Sequence, residues 1–383
     1  MPVDIKTGFT TWSAKDNMNT PSTVDFDLVE LFLEELRLCN VKKGERVAIL
    51  NAGTEWTAYV QALLKAAQRL GAQAFNVNVQ RDQSLQAAVQ GRHPFTGHDL
   101  LLDMLKRCDM VIDLVGLLFS REQLDMQKAG VRVLRIMEPP HILRAMFPTR
   151  ELAQRVERAR EILIPARHMR ITSHHGTDIA YELGQYPVMS EYGFTDQPGR
   201  WDNFPSGFVF TQGNDGAVNG TVVLRTGDIL TAFKRYLQSD VVLTVERSKI
   251  TKIEGNGMDA DLLRTYMGGF NDPRAYAISH IGWGMNDAAR WYHFEATRHL
   301  HHEHVMNALS FYGNVLFSTG PNVELGGDND TACHMDIPMR GCSLTLDGIE
   351  IVRDGDVVHP ELCLKQSVNP PRTSLNNAGI LNA

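Results

Sequence analysis

GERVAILNAGTEW, residues 44–56, is the stretch that decides the fold of this chain. Gly44 leads into a short β-branched and apolar run, RVAIL at 46–50, which ends at Asn51-Ala52-Gly53 where a strand hands over to a helix across 55–70. Upstream, DFDLVELFLEELRL at 25–38 places Leu28, Leu31, Phe32, Leu36 and Leu38 at helical spacing with acids between them, the pattern of an amphipathic helix. Downstream, strands are expected at 72–79, 110–115 and 131–137, each preceded by helix-like sequence and the last closed by Pro139-Pro140. Four strands separated by helices imply a parallel sheet with right-handed crossovers. The expected class is α/β, with residues 1–165 forming the parallel-sheet domain.

After a charged helix at 149–164 the character changes to shorter alternating segments with Gly and Asp turns. Residues 343–346 and 349–352 flank Asp347-Gly348, the strongest short hairpin signal, and 241–246 with 249–253 form a second expected hairpin. Residues 259–309 are mostly helical in composition, broken at Gly268-Gly269 and Asp272-Pro273. The expectation is therefore a mixed α+β domain over 166–365, rich in antiparallel hairpins. Residues 366–383, rich in Pro, Asn and Ser, read as a tail or an arm lying on a neighbouring subunit.

A chain of 383 residues exceeds what one small core accounts for, and 43% hydrophobic with 22% charged residues is ordinary globular composition. Lys and Arg number 38 against 45 Asp and Glu, so the net charge of -7 gives no footprint for nucleic acid or an anionic membrane. The first sixteen residues lack the basic and apolar pattern of a secretory signal, and Asp4 and Asp16 disfavour a transit peptide. The longest apolar run, 110–119, is interrupted by Asp113 and falls short of the roughly 20 residues of a membrane span. A cytoplasmic protein is expected. Five scattered cysteines without a C-x-x-C pair read as reduced structural thiols rather than a disulfide framework or zinc site. Neither G-x-G-x-x-G nor G-x-x-x-x-G-K stands where a strand meets a helix, which argues against a nucleotide-dependent enzyme. G-x-S-x-G and H-E-x-x-H are absent too.

What remains is the histidine distribution. In His334-Met335-Asp336, strand alternation would put His and Asp on one face, where both can approach one ion. His280, in AISHIGWG, stands before glycines that would leave its imidazole approachable. Two His and one carboxylate are the facial-triad set, which leaves positions open on Fe(II). The dense RHLHHEH run (298–304) fits no zinc template and reads as a solvated helix face. His174-His175, in ITSHHGTD, is a loop pair that could bind an anion or simply make a turn.

The residues around these candidates carry a resemblance. GQYPVMSEYGFTDQPGRWDNFPSGFVF (184–210), FNDPRAYAISHIGWG (270–284), FYGNVLFSTGPNVELGG (311–327) and CHMDIPMRGC (333–342) resemble, in this order, the 2,5-dihydroxypyridine 5,6-dioxygenases. The likeness runs roughly from 99 to 365 and is weaker before 98. It implies a fold related to the M29 leucyl aminopeptidases and an iron(II) enzyme that opens the ring of a hydroxylated pyridine in nicotinate or picolinate breakdown. The family's iron ligands fall on His280, His334 and Asp336, the three that the facial-triad reading picks out. The ring contacts fall on Glu191 in SEYG and Ser318 in FSTGP, a carboxylate and a hydroxyl able to orient the ring. The implied partners are a small aromatic N-heterocycle and O2, the implied product is N-formylmaleamate, and the implied assembly is a homo-oligomer.

Two positions depart from the family pattern. Asn203, in RWDNFPSGF, and Phe119, in GLLFS, stand where the family carries histidines. Asn cannot shuttle a proton at neutral pH and Phe cannot hydrogen-bond, so the acid/base step or the substrate could differ. His174 or His175 would substitute if the fold brought them near. The same iron chemistry on another hydroxylated ring, an M29-type metallo-aminopeptidase and a non-catalytic binding protein are the other readings of the chain. A peptidase would need a second ion and further bridging carboxylates.

Overall fold

The computed structural model describes residues 26–79, 97–118, 120–293 and 305–364. Phe119, the RHLHHEH run and the 366–383 tail lie outside the described residues.

The run RVAIL belongs to strand Arg46–Ala52, buried at every position but the first. It pairs in parallel with Gln73–Val79 on one side and Met110–Asp113 on the other, and Arg132–Ile136 follows. The four strands that the periodicity implied are therefore present. Because successive side chains point to opposite faces, Val47, Ile49, Ile112 and Leu134 pack into one apolar cluster and Ala48, Leu50, Val111 and Val133 into another. Helices Phe26–Leu38 and Thr57–Arg69 cover the first face, where the rings of Phe32 and Tyr59 meet edge to face at 5.1 Å. Ser120 caps helix Arg121–Lys128 through the amide of Gln123, and Thr149 caps helix Arg150–Leu163 through the amide of Leu152.

A fifth strand completes this sheet. Trp201–Phe204 lies parallel to Arg132–Ile136, with Arg135 opposite Asn203, so the chain comes back to the first sheet after the helix that precedes residue 165. All four residues of WDNF are buried, yet two are polar, and no alternation marks them as a strand.

The remaining strands form two antiparallel sheets and a small two-stranded one. Both expected hairpins are found in the eight-stranded sheet, as Val241–Glu246 with Lys249–Glu254 and Cys342–Leu346 with Ile349–Arg353. Asp347 and Gly348 take φ of 47° and 85°, the left-handed pair that a tight hairpin turn of this twist requires.

The five-stranded antiparallel sheet runs in the order Met335–Met339, Val315–Thr319, Ile278–Gly284, Phe208–Gln212, Met189–Glu191. Its middle strand corrects the helical reading of 259–309: Met258–Gly269 is a helix, but Ile278–Gly284 is a strand buried at all seven positions. Covered on both faces, it has no period-2 signature to find. Its glycines have a packing reason, since a Cβ on Gly282 would come within 1.9 Å of the Val209 carbonyl oxygen. No helix of the described residues is long and apolar enough to cross a membrane.

Candidate metal centre and active site

Three strands of the five-stranded sheet bring the site together. His280 stands in the middle strand, where the register with Val315–Thr319 shifts between Ile278 and Ile281, a bulge that re-aims the side chains around it. Ser318 stands on the next strand, directly opposite Asp336 on the edge strand. His334 immediately precedes that edge strand, and its backbone carbonyl accepts a hydrogen bond from the Tyr266 hydroxyl at 3.1 Å. The Asp336 carbonyl accepts from Thr231 Oγ1 at 2.8 Å. These two bonds pin the H-x-D segment to its surroundings.

The geometry is compact. His280 Nε2 lies 2.9 Å from Asp336 Oδ1 and His334 Nε2 lies 3.2 Å from Asp336 Oδ2, so the carboxylate sits between the two imidazoles. One ligand atom from each residue falls within 4.8 Å of the others, the arrangement of a three-donor metal site. Among the described residues no other such group of His, Cys, Asp or Glu is found. The His280 ring packs edge-on against Phe210 at 5.2 Å and against His334 at 5.5 Å. Burial, against the Asp336 charge, pushes His280 down to about 4, which keeps its imidazole in the neutral form that ligates metals. Burial opposes the charge on Asp336, but His334, His280 and the Ser318 hydroxyl together hold its carboxyl below the usual value. Two neutral donors and one anionic donor, converging from a rigid sheet, fit a divalent first-row ion.

The three residues line a cavity of about 370 Å3, the size of a small-molecule site. Its wall also carries Glu191, Asn203 and Arg135, joined in series. Arg135 Nη1 donates to Asn203 Oδ1 at 3.0 Å, Asn203 Nδ2 donates to Glu191 Oε2 at 2.9 Å, and Ser206 Oγ donates to the same oxygen at 3.1 Å. Burial, with the Asp202 charge, raises the Glu191 carboxyl well above the carboxylate range despite those donors. Asp202 is raised as well by burial, although Arg200 and the amides of Tyr192 and Gly193 all bond to it. Phe208, Phe210, Leu316 and Leu309 give the cavity apolar walls.

The structure thus brings His280, His334, Asp336, Glu191 and Asn203 to one cavity, with Ser318 buried behind Asp336. It does not bring His175 there. His175 lies in the exposed turn between His168–Ser173 and Asp178–Glu182 of the eight-stranded sheet, with Nε2 2.9 Å from Arg225 Nη1, and His174 sits 3.1 Å from Asp354. The turn that carries both histidines belongs to the eight-stranded sheet, and neither of them lines the cavity. The segment that carries the two histidines forms a turn, closed by the Gly176 amide donating to the Ser173 carbonyl at 3.1 Å.

Two cavity residues have no counterpart in the sequence reading. Arg135 is 4% exposed inside a strand buried at all five positions, and a guanidinium in such a run was the available signal. Glu324 lies in the 3-10 turn Val323–Leu325, where burial raises its carboxyl to about 7 against the smaller opposing effects of its own backbone amide and of His334. Nothing in its local sequence marks it.

The profile of the family described as NicX, 2,5-dihydroxypyridine 5,6-dioxygenase, matches residues 27–359. The chain belongs to this family. It is 42% identical over 343 residues to the 2,5-dihydroxypyridine 5,6-dioxygenase of Pseudomonas putida KT2440, an alignment covering 87% of this chain and 97% of that one. The solved structure of 2,5-dihydroxypyridine dioxygenase from Pseudomonas putida KT2440 superposes with a TM-score of 0.82 at 41% identity, over 88% of this chain and 98% of the other. Wild-type AmpT from Thermus thermophilus, an M29 aminopeptidase, superposes with a TM-score of 0.55 at 16% identity, over 88% and 100% of the two chains. That second likeness is one of fold alone, and the expected kinship with the M29 architecture is met by it. As a member of the 2,5-dihydroxypyridine 5,6-dioxygenase family the chain is a ring-cleaving dioxygenase, and such an enzyme works with a metal cofactor.

Proposed function

We propose that the chain is an iron(II) enzyme that opens the ring of 2,5-dihydroxypyridine between carbons 5 and 6, giving N-formylmaleamate, within the breakdown of nicotinate or picolinate. The observation that carries this reading is the convergence of His280, His334 and Asp336 at the floor of a ring-sized cavity in a chain of this family. His280, His334 and Asp336 would hold iron(II), which would supply the redox chemistry between O2 and an electron-rich ring.

The chain's own residues have separate tasks. His280 and His334 offer neutral nitrogens and Asp336 one negative charge, a set that holds a divalent ion without neutralising it. Ser318, opposite Asp336, is buried on the neighbouring strand beside the same carboxylate. Glu191 is anchored through Oε2, and burial with the Asp202 charge pushes its carboxyl toward the protonated form, so it meets the polar edge of the ring as a hydrogen-bonding group. Asn203 orients Glu191 and transmits its position to Arg135, a structural task that needs no proton transfer. Phe208 and Phe210 exclude water from the flat faces of the ring. We take the protein to be cytoplasmic, and homo-oligomeric as its resemblance to the family implies.

The test is oxygen uptake by anaerobically purified, Fe(II)-loaded protein given 2,5-dihydroxypyridine, with loss of the ring's ultraviolet absorbance followed in parallel. Matched consumption of oxygen and ring is the expected result. Protein that holds one iron per chain and consumes neither would overturn the choice of substrate. Two ions per chain with peptide hydrolysis would favour the aminopeptidase chemistry instead.

A further inference from the structure

Resting on the functional reading above, we propose that Glu324 is a substrate-contacting residue of this cavity, its carboxyl group accepting a hydrogen bond from an O–H or N–H of the bound ring on the side of His334 and Asp336.

Glu324 lines the same cavity as the three-donor cluster but is not part of that cluster. Both of its side-chain oxygens are shielded from solvent, and among the described residues no donor from another residue reaches either of them. A buried carboxyl group left in this state costs free energy that a structural role would not require, whereas Glu191 and Asp202 in the same region are each met by several donors. The turn that carries Glu324 is firmly built. Asn322 and Asn329 bond to each other twice at 3.0 Å, Asn329 Nδ2 donates to the Gly320 carbonyl at 2.8 Å, and Gly326 closes the turn with φ of 86°. A rigid turn that sets beside a ligand cavity a carboxyl group met by no donor from another residue is how a binding site holds an acceptor ready for a donor that arrives with the ligand. The ring has such donors in its hydroxyls and, in its pyridone form, its N–H.

The experiment compares parent, Glu324→Ala and Glu324→Gln proteins, each loaded with Fe(II) and kept anaerobic. Binding of 2,5-dihydroxypyridine is followed by calorimetry, with iron content and melting temperature recorded alongside. The expected result is that Glu324→Ala binds the ring about tenfold more weakly, while Glu324→Gln, which keeps a neutral acceptor oxygen, loses about threefold. Iron content and melting temperature should stay at the parent's values. Unchanged binding in the alanine variant overturns the proposal, as does a loss of iron that accounts for the weaker binding, since Glu324 would then act through the metal. If the alanine variant does not fold, the isosteric glutamine variant decides by the same two measures. If the parent itself neither binds nor consumes 2,5-dihydroxypyridine, the functional reading fails first and the contact proposed here falls with it.

Discussion

Arg135 and Asn203 face each other across two parallel strands, and the guanidinium donates to the amide oxygen at 3.0 Å. That bond fixes which way the amide points. Its nitrogen is turned toward Glu191, so one neutral side chain joins a buried cation to a buried acid without bringing the two into contact. Asn203 thus serves as a bridge.

Breaking the bridge has a defined cost. Asn203→Ala removes a donor from Glu191 and an acceptor from Arg135 inside the core, and should lower stability by about 1–3 kcal/mol in urea unfolding. Asn203→Asp keeps the acceptor for Arg135 but turns a second carboxyl oxygen toward Glu191, so it should raise KM for the ring while losing less stability than the alanine variant. Two variants that unfold within about 0.5 kcal/mol of the parent would show that the bridge is energetically idle.

Glu191 makes stability fall as pH rises. Burial, then the charge on Asp202, raises its carboxyl, so the folded chain keeps a proton that the unfolded chain has already released. The stability due to that proton is fully present below the ordinary value of 4.5 and is lost as pH climbs through the raised value. Melting temperature measured from mildly acid to mildly alkaline buffer should therefore decline, and Glu191→Gln should flatten the decline. An identical slope in parent and variant would assign the pH response to other groups.

Replacing any one of His280, His334 and Asp336 by alanine should strip the metal and abolish oxygen uptake. Loss of Asp336 should be the most severe, since it removes the anion that both imidazoles face at 2.9 and 3.2 Å. Metal content per chain, measured with turnover, checks this. A variant that retains full iron and full activity would remove that residue from the site.

Four strands of the parallel sheet were legible because short β-branched and apolar segments alternate with helices along the chain, and both hairpins because their turn residues leave a local mark. The strand Ile278–Gly284 was not, since burial on both faces removes alternation and its glycines imitate a loop. His334 and Asp336 could be paired from spacing alone, two residues apart, but their meeting with His280 depends on three strands and a bulge. Arg135 and Glu324 escaped for a related reason: a side chain's role in a cavity is set by what lies across the cavity, often a hundred or more residues away in the chain.

The return of the chain at Trp201–Phe204 bears on how the cavity comes into being. That strand supplies Asn203 to the parallel sheet, and only Pro205, Ser206 and Gly207 separate it from Phe208–Gln212, the neighbour of the strand bearing His280. A fragment ending after helix Arg150–Leu163 would leave Arg132–Ile136 as an open edge, inviting other chains to pair there. Docking of Trp201–Phe204 closes that edge and sets the wall of Glu191 and Asn203 beside the metal ligands in the same event. Covering the Arg132–Ile136 edge and building the ring-binding wall thus depend on the same four residues, so a substitution that weakens the pairing of this strand should lower solubility together with turnover.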